Sequence, residues 1–116
     1  MSRNLGVQVL DGAIKLFERR GSWTQGGLAR FFFFREVDPA SRWATGWCIE
    51  GALMRSAARL VHNPEAQERA IEQARQLIYT HGELNPMPPS IHFWNDEWGR
   101  TRKQALHFLK GARTAA

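Results

Sequence analysis

A mainly α fold is what this sequence predicts: a compact, irregular four-helix domain with one short extended aromatic segment. Apolar residues recur at helical spacing along most of the chain, and Pro-based entries and a capping box mark helix starts. One phenylalanine-rich run breaks that pattern. With 116 residues the chain has the length of one domain, so residues 1–116 read as a single helical unit. A chain of this size buries roughly two-thirds of the surface it exposes when unfolded, enough for a core without cross-links.

Leu10, Ala13, Ile14 and Phe17 share one helical face, while Lys15, Glu18, Arg19 and Arg20 take the others. Gly21 follows a basic last turn, so the first helix is predicted over 7–20. Residues 22–27 form a polar, glycine-rich turn holding Trp23. Residues 28–37 have the composition of a strand or paired strands. In a continuous strand, alternation sets Phe31 and Phe33 on one face and Phe32 and Phe34 on the other. One pair enters the core; the other needs a loop, a ligand or a second subunit to cover it. Phe31 to Phe34 therefore form the candidate interface for a protein partner or a homo-oligomer, set against a segment tucked between helices of one chain.

Asp38-Pro39-Ala40-Ser41 has the grammar of a helix entry, which predicts a second helix over 40–61. Trp47, Gly51, Met54 and Ala58 line one face of it, and Gly46, Gly51, Ala52 and Ala57 admit a close neighbour. This helix is expected to be the central, most buried one. Asn63-Pro64-Glu65 repeats the entry, and Ala70, Ile71, Ala74, Leu77 and Ile78 carry the third helix to about residue 81. Residues 83–90, with three prolines, read as a loop, 90–94 as a short helical turn or strand, and 95–100 as a turn. Thr101 with Gln104 forms a capping box that opens the last helix, 102–111, with a tail over 113–116 expected to fray.

The formal charge of +5, carried mostly by Arg, leans towards anionic partners. Cys48 is the one cysteine, so no intrachain disulfide and no Cys-based zinc site can form, and a reducing compartment such as the cytoplasm is the simplest home. On an apolar helical face it reads as a small buried hydrophobe. No apolar run reaches the length of a membrane span, and the N-terminus does not read as a signal peptide. His62, His81, His92 and His107 lack a shared metal-ligand spacing, and the neighbours Asp96 and Glu97 do not make a catalytic pair. No catalytic residue, metal or cofactor is assigned, and the reading leans away from an enzyme.

The most informative candidate site surrounds the last helix start. Thr101 leaves free backbone N–H groups there, with Arg100, Arg102 and Lys103 around them, an arrangement suited to phosphate. Trp94 and Trp98 can stack a base, and Asn95 or Asp96 can bond a ribose hydroxyl or base edge. The competing reading is structural: Asp96 caps local backbone, Trp94 packs in the core, and Thr101 is simply a cap. A second group interleaves basic and aromatic residues, Trp23, Gln25 and Arg30 with Arg35, Arg42 and Trp43, and suits a nucleotide or a single strand, set against simple packing of the Trp rings in the core or at its rim.

Trp47-Cys48-Ile49-Glu50-Gly51-Ala52-Leu53, together with Trp94-Asn95-Asp96 and Gly99-Arg100-Thr101, resembles a family of small proteins of unknown function. Trp23-Thr24-Gln25-Gly26-Gly27-Leu28-Ala29-Arg30 is similar to the same pattern. The family occurs in actinobacteria and bacteriophages, so the resemblance implies a shared fold and a bacterial or phage setting, with no activity attached. The function expected from these observations is non-catalytic binding of an anionic, nucleotide-like small molecule, to sequester or sense it. In a phage, that would be uptake of a host defence signal. The alternatives are a protein-interaction or self-associating module acting through Phe31 to Phe34, and a nucleic-acid-binding accessory protein.

Overall fold

The amide oxygen of Asn4 accepts from the N–H groups of Gly6 (2.7 Å) and Val7 (3.4 Å) and so caps the first helix, α1, Leu5–Phe17. A computed structural model describes residues 4–32, 35–81 and 90–116 of the chain. Val9, Leu10, Ala13 and Phe17 of α1 are fully buried. The helix ends three residues earlier than predicted, and Gly21 turns the chain back at a φ of 75°.

The segment after α1 builds a small sheet. Strands β1 (Ala29–Phe31), β2 (Arg35–Glu36) and β3 (Gly46–Trp47) lie in the order β2-β1-β3, with both pairings antiparallel. Of the two readings of residues 28–37, one strand or paired strands, the structure has the paired strands. Phe32 sits at a φ of 49°, so the strand ends at Phe31 and the chain folds back as a hairpin. Left-handed backbone is rare for a bulky side chain and costs on the order of 1–3 kcal/mol. Phe33 and Phe34 lie outside the described residues.

One correction concerns residues 38–48, predicted as the opening of a helix. Asp38 does act as a local cap, its carboxylate accepting from Ala40 N at 2.8 Å, but only successive turns follow. Thr45 N then donates to Arg30 O (2.9 Å) and Cys48 N to Leu28 O (3.1 Å), drawing this stretch onto β1. Pairing with the sheet wins over the helical entry, and Gly46, predicted to admit a close neighbour on a helix, is part of a strand. Helix α2 begins at Ile49 and runs to Leu60, with Cys48 as its cap.

Helix α3 (Pro64–His81) opens as predicted, with Asn63 Oδ1 accepting from Ala66 N. Glu68 and Glu72, like charges on one face, are reconciled by Arg75, which pairs with both and with Glu50 of α2 at 3.0 Å. Those carboxylates, Glu50 foremost, hold the Arg75 guanidinium well above its ordinary pKa. Of the two readings of residues 90–94, a short helical turn or a strand, the helical one is found, as α4 (Ile91–Asp96), capped by Ser90. Helix α5 (Arg102–Ala115) carries the predicted capping box: Gln104 N donates to Thr101 Oγ1 and Thr101 N to Gln104 Oε1. The expected fraying of its tail is corrected as well, because Ala112 is buried and Arg113 donates to Asp11 at 2.7 Å.

The described residues thus hold five helices and a three-stranded sheet in place of four helices and one extended segment. The domain remains mainly α, and its radius of gyration, 13.1 Å, is that of a compact chain of this length. Helix α1 packs on α2, α3 and α5, and α2, which buries Ile49, Gly51, Ala52, Leu53, Ser56 and Ala57, packs on α1, α3 and α4. No helix of the described residues is long and apolar enough to cross a membrane.

Candidate functional site

The residues predicted to hold a ligand near the last helix come together, and most of their polar groups meet partners within the chain. Asn95 is fully buried. Its carbonyl oxygen accepts from Trp23 Nε1 (2.8 Å) and Ile49 N (3.0 Å), and its amide nitrogen donates to Thr24 O (3.1 Å) and Asp96 Oδ1 (2.9 Å). Gln25 donates to the backbone carbonyls of Asn95 and Glu97, and Gly26 N donates to Asp96 Oδ1. The turn at residues 23–26 is therefore clasped to α4 and to the first residue of α2. Three of the motif segments noted in the sequence, 23–30, 47–53 and 94–96, meet at this one amide.

Arg100 lies over the Trp94 ring at 3.7 Å, and Trp94 stacks on Phe108 at 4.1 Å, so the indole is sandwiched. The same guanidinium donates to Trp94 O and pairs with Glu97. Arg102 reaches the C-terminal end of α1, donating to Phe17 O at 2.5 Å, and Thr101 serves as a cap. Arg30 donates to Gln25 O and lies 3.9 Å from Glu36. Trp98 stands 97 % exposed beside this cluster and takes no part in it.

Unneutralised positive charge collects elsewhere, between α1 and α2. Lys15 and Arg19 stand four residues apart on α1 and the turn after it, and Arg55 and Arg59 four apart on α2. Together they line a groove of about 290 Å³, near the lower end of small-ligand sites at roughly 300–1,000 Å³. The helices approach closely there because position 12 is glycine: a Cβ on Gly12 would lie 2.0 Å from Ser56 Oγ. Leu16 and Leu60 add apolar surface, and among the described residues no carboxylate lines the groove.

Among the described residues, no ion pair engages Lys15, Arg19 or Arg59. The contrast with Arg75, Arg100 and Arg113, each paired with acids, is plain. Arg55 is the most constrained member. It donates one N–H to Ser41 O (2.9 Å) and lies 5.6 Å over the Trp47 ring, yet its Nε is buried with no hydrogen-bond partner among the described residues. Burial first, and then the neighbouring Arg59 charge, push its pKa below the ordinary value. Lys15 and Arg59 also complement the C-terminal dipoles of their helices, as basic residues in a last turn do. A dipole does not account for Arg55, which sits mid-helix with that donor buried. An anion in the groove would meet four cations at once and relieve their mutual repulsion.

The sequence reading did not single out this groove. Its signal was nevertheless present, since two like-charged pairs at four-residue spacing each oppose helix formation slightly. Among the described residues, no three of His, Cys, Asp and Glu gather where a metal could be held. Residues 1–115 match the model of a protein family described as a family of unknown function (DUF6197). No curated protein and no solved structure matches the chain.

Proposed function

The chain belongs to that family of unknown function, so a function has to be sought in its own residues, and we propose that it is a non-catalytic binding protein for a phosphate-bearing, nucleotide-like small molecule. The site is the α1–α2 groove rather than the clasp around Asn95. One observation carries this reading: Lys15, Arg19, Arg55 and Arg59 converge on one cavity with no carboxylate among the described residues of its lining. Guanidinium groups suit phosphate oxygens through their planar fork of donors. The reading keeps the ligand class expected from composition and moves the residues that hold it. In a bacterial or phage cytoplasm such a domain would sequester or sense a nucleotide-derived signal.

Isothermal titration with inorganic pyrophosphate at low ionic strength tests it. Wild type is expected to bind. The Lys15→Gln, Arg59→Gln double variant is expected to lose at least about tenfold in affinity, since each charge-assisted bond is worth on the order of 1.5–3 kcal/mol. Both side chains are exposed, so the fold should keep its thermal midpoint. No heat with wild type, or equal affinity in the variant, would exclude the groove.

A second reading has its own observation. Phe32 and Trp43 are 58 % and 56 % exposed, and the Phe31 ring contacts both edge-on at 4.6 and 5.9 Å. A protein partner or a second copy would cover that aromatic surface. Light scattering on wild type and on Trp43→Ser decides whether it mediates self-association.

A further inference from the structure

The cationic groove does not end at Arg19. That residue also lines a second cavity of about 350 Å³, where the chain leaving α1 passes the start of β3. Phe32 and Trp47 are aromatic walls of this cavity. A second connection runs through Arg55, which lines the groove and lies 5.6 Å over the Trp47 ring. Phosphate-seeking charge and aromatic surface are therefore contiguous.

Phe32 is held in this position at a conformational cost. Its backbone is left-handed, at a φ of 49°, and its N–H donates to Thr45 Oγ1 at 2.8 Å, across the same cavity. A bulky aromatic kept exposed in such backbone marks a position where packing alone gives no reason for the residue. Strain of this kind collects at ligand clamps. The Thr45 hydroxyl is already used in both senses, accepting from Phe32 N and donating to Arg30 O. It has little capacity left to read a hydrogen-bonding edge.

Resting on the reading of the groove as a phosphate site, we propose that this second cavity takes the base of the nucleotide whose phosphates lie between α1 and α2. Phe32 stacks on the base, Arg19 bridges the two compartments, and Arg55 holds phosphate from beside Trp47. Because stacking uses the ring face that every base has, recognition tolerates different bases.

Calorimetry on the full chain at low ionic strength separates the two compartments, with inorganic pyrophosphate, adenosine diphosphate and uridine diphosphate as probes. Both nucleotides are expected to bind at least about tenfold more tightly than pyrophosphate, in line with the contribution of one stacked base. Phe32→Asn keeps a residue that tolerates left-handed backbone. It should remove that advantage while leaving pyrophosphate affinity intact and the thermal midpoint no lower than that of wild type, and Phe32→Trp should restore it. Equal binding of pyrophosphate and nucleotide by wild type overturns the base site but leaves the phosphate groove standing. Unchanged nucleotide affinity in Phe32→Asn overturns it too, and a simultaneous loss of dimer by light scattering would assign the ring to a second copy. Silence with pyrophosphate and nucleotides alike removes both.

Discussion

Asn95 shows how much one side chain can organise. It was legible as part of a motif, and ligand binding was the role its chemistry suggested. The structure uses the same donors and acceptors to join the turn after α1, the start of α2, and α4. A sequence shows which groups can bond but not which partners the fold will bring to them. Asn95→Ala would leave Trp23 Nε1, Ile49 N and Thr24 O without their partner. Each buried unsatisfied group costs about 1–3 kcal/mol, so a loss of roughly 3 kcal/mol or more is expected in urea denaturation.

Cys48 combines burial with a capping role, its Sγ accepting from Gly51 N at 3.3 Å. The sequence reading supplied the burial; the cap became visible only once the helix start moved to Ile49. Burial is the main reason its thiol is pushed up to about 11, against an ordinary value of 9.0. The unfolded chain thus releases this proton first. Below pH 9 the contribution to stability is complete, and it is lost as pH rises towards 11, by about 2–3 kcal/mol at the upper end. Denaturation of wild type against Cys48→Ala across that window should show the extra slope in wild type alone.

At the scale of elements, local signals succeeded where local chemistry decides. The Asn63-Pro64 entry of α3 and the Thr101–Gln104 capping box concern neighbours within one turn, and both were legible. The start of α2 was not, because residues 38–48 satisfy a helical entry and a sheet edge equally well. The choice belongs to hydrogen bonds with β1, many residues away. Two glycines test this view of α2 and α5. A Cβ on Gly51 would lie 1.8 Å from Leu28 O, a backbone atom fixed by Cys48 N, whereas one on Gly111 meets nothing within 4 Å. Gly51→Ala should therefore destabilise by about 3 kcal/mol through overpacking. Gly111→Ala should stabilise by roughly 0.5–1 kcal/mol through helix propensity. Thermal melts of the two variants should move in opposite directions.

Over the whole molecule, the excess of positive charge was visible in composition, but its location was not. Lys15 belongs to α1 and Arg19 to the turn after it, while Arg55 and Arg59 belong to one face of α2. Only the close crossing at Gly12 and Ser56 makes them one surface. The arginines around the last helix looked equally available in the sequence, and Arg100 and Arg102 turned out to serve Trp94, Glu97 and Phe17. Binding in the groove should weaken with salt, because its charges are partly exposed. A long nucleic acid would weaken more steeply, since each neutralised phosphate releases counterions. The slope of affinity against salt therefore separates a small ligand from a polymer.

The central claim, that the anion site lies between α1 and α2, is tested most directly by proton–nitrogen correlation spectra recorded during a pyrophosphate titration. Saturable shifts are expected at Lys15, Arg19 and residues 55–60, with the indole signals of Trp23 and Trp98 unmoved. Shifts centred on residues 94–102, with the α1–α2 amides silent, would contradict it.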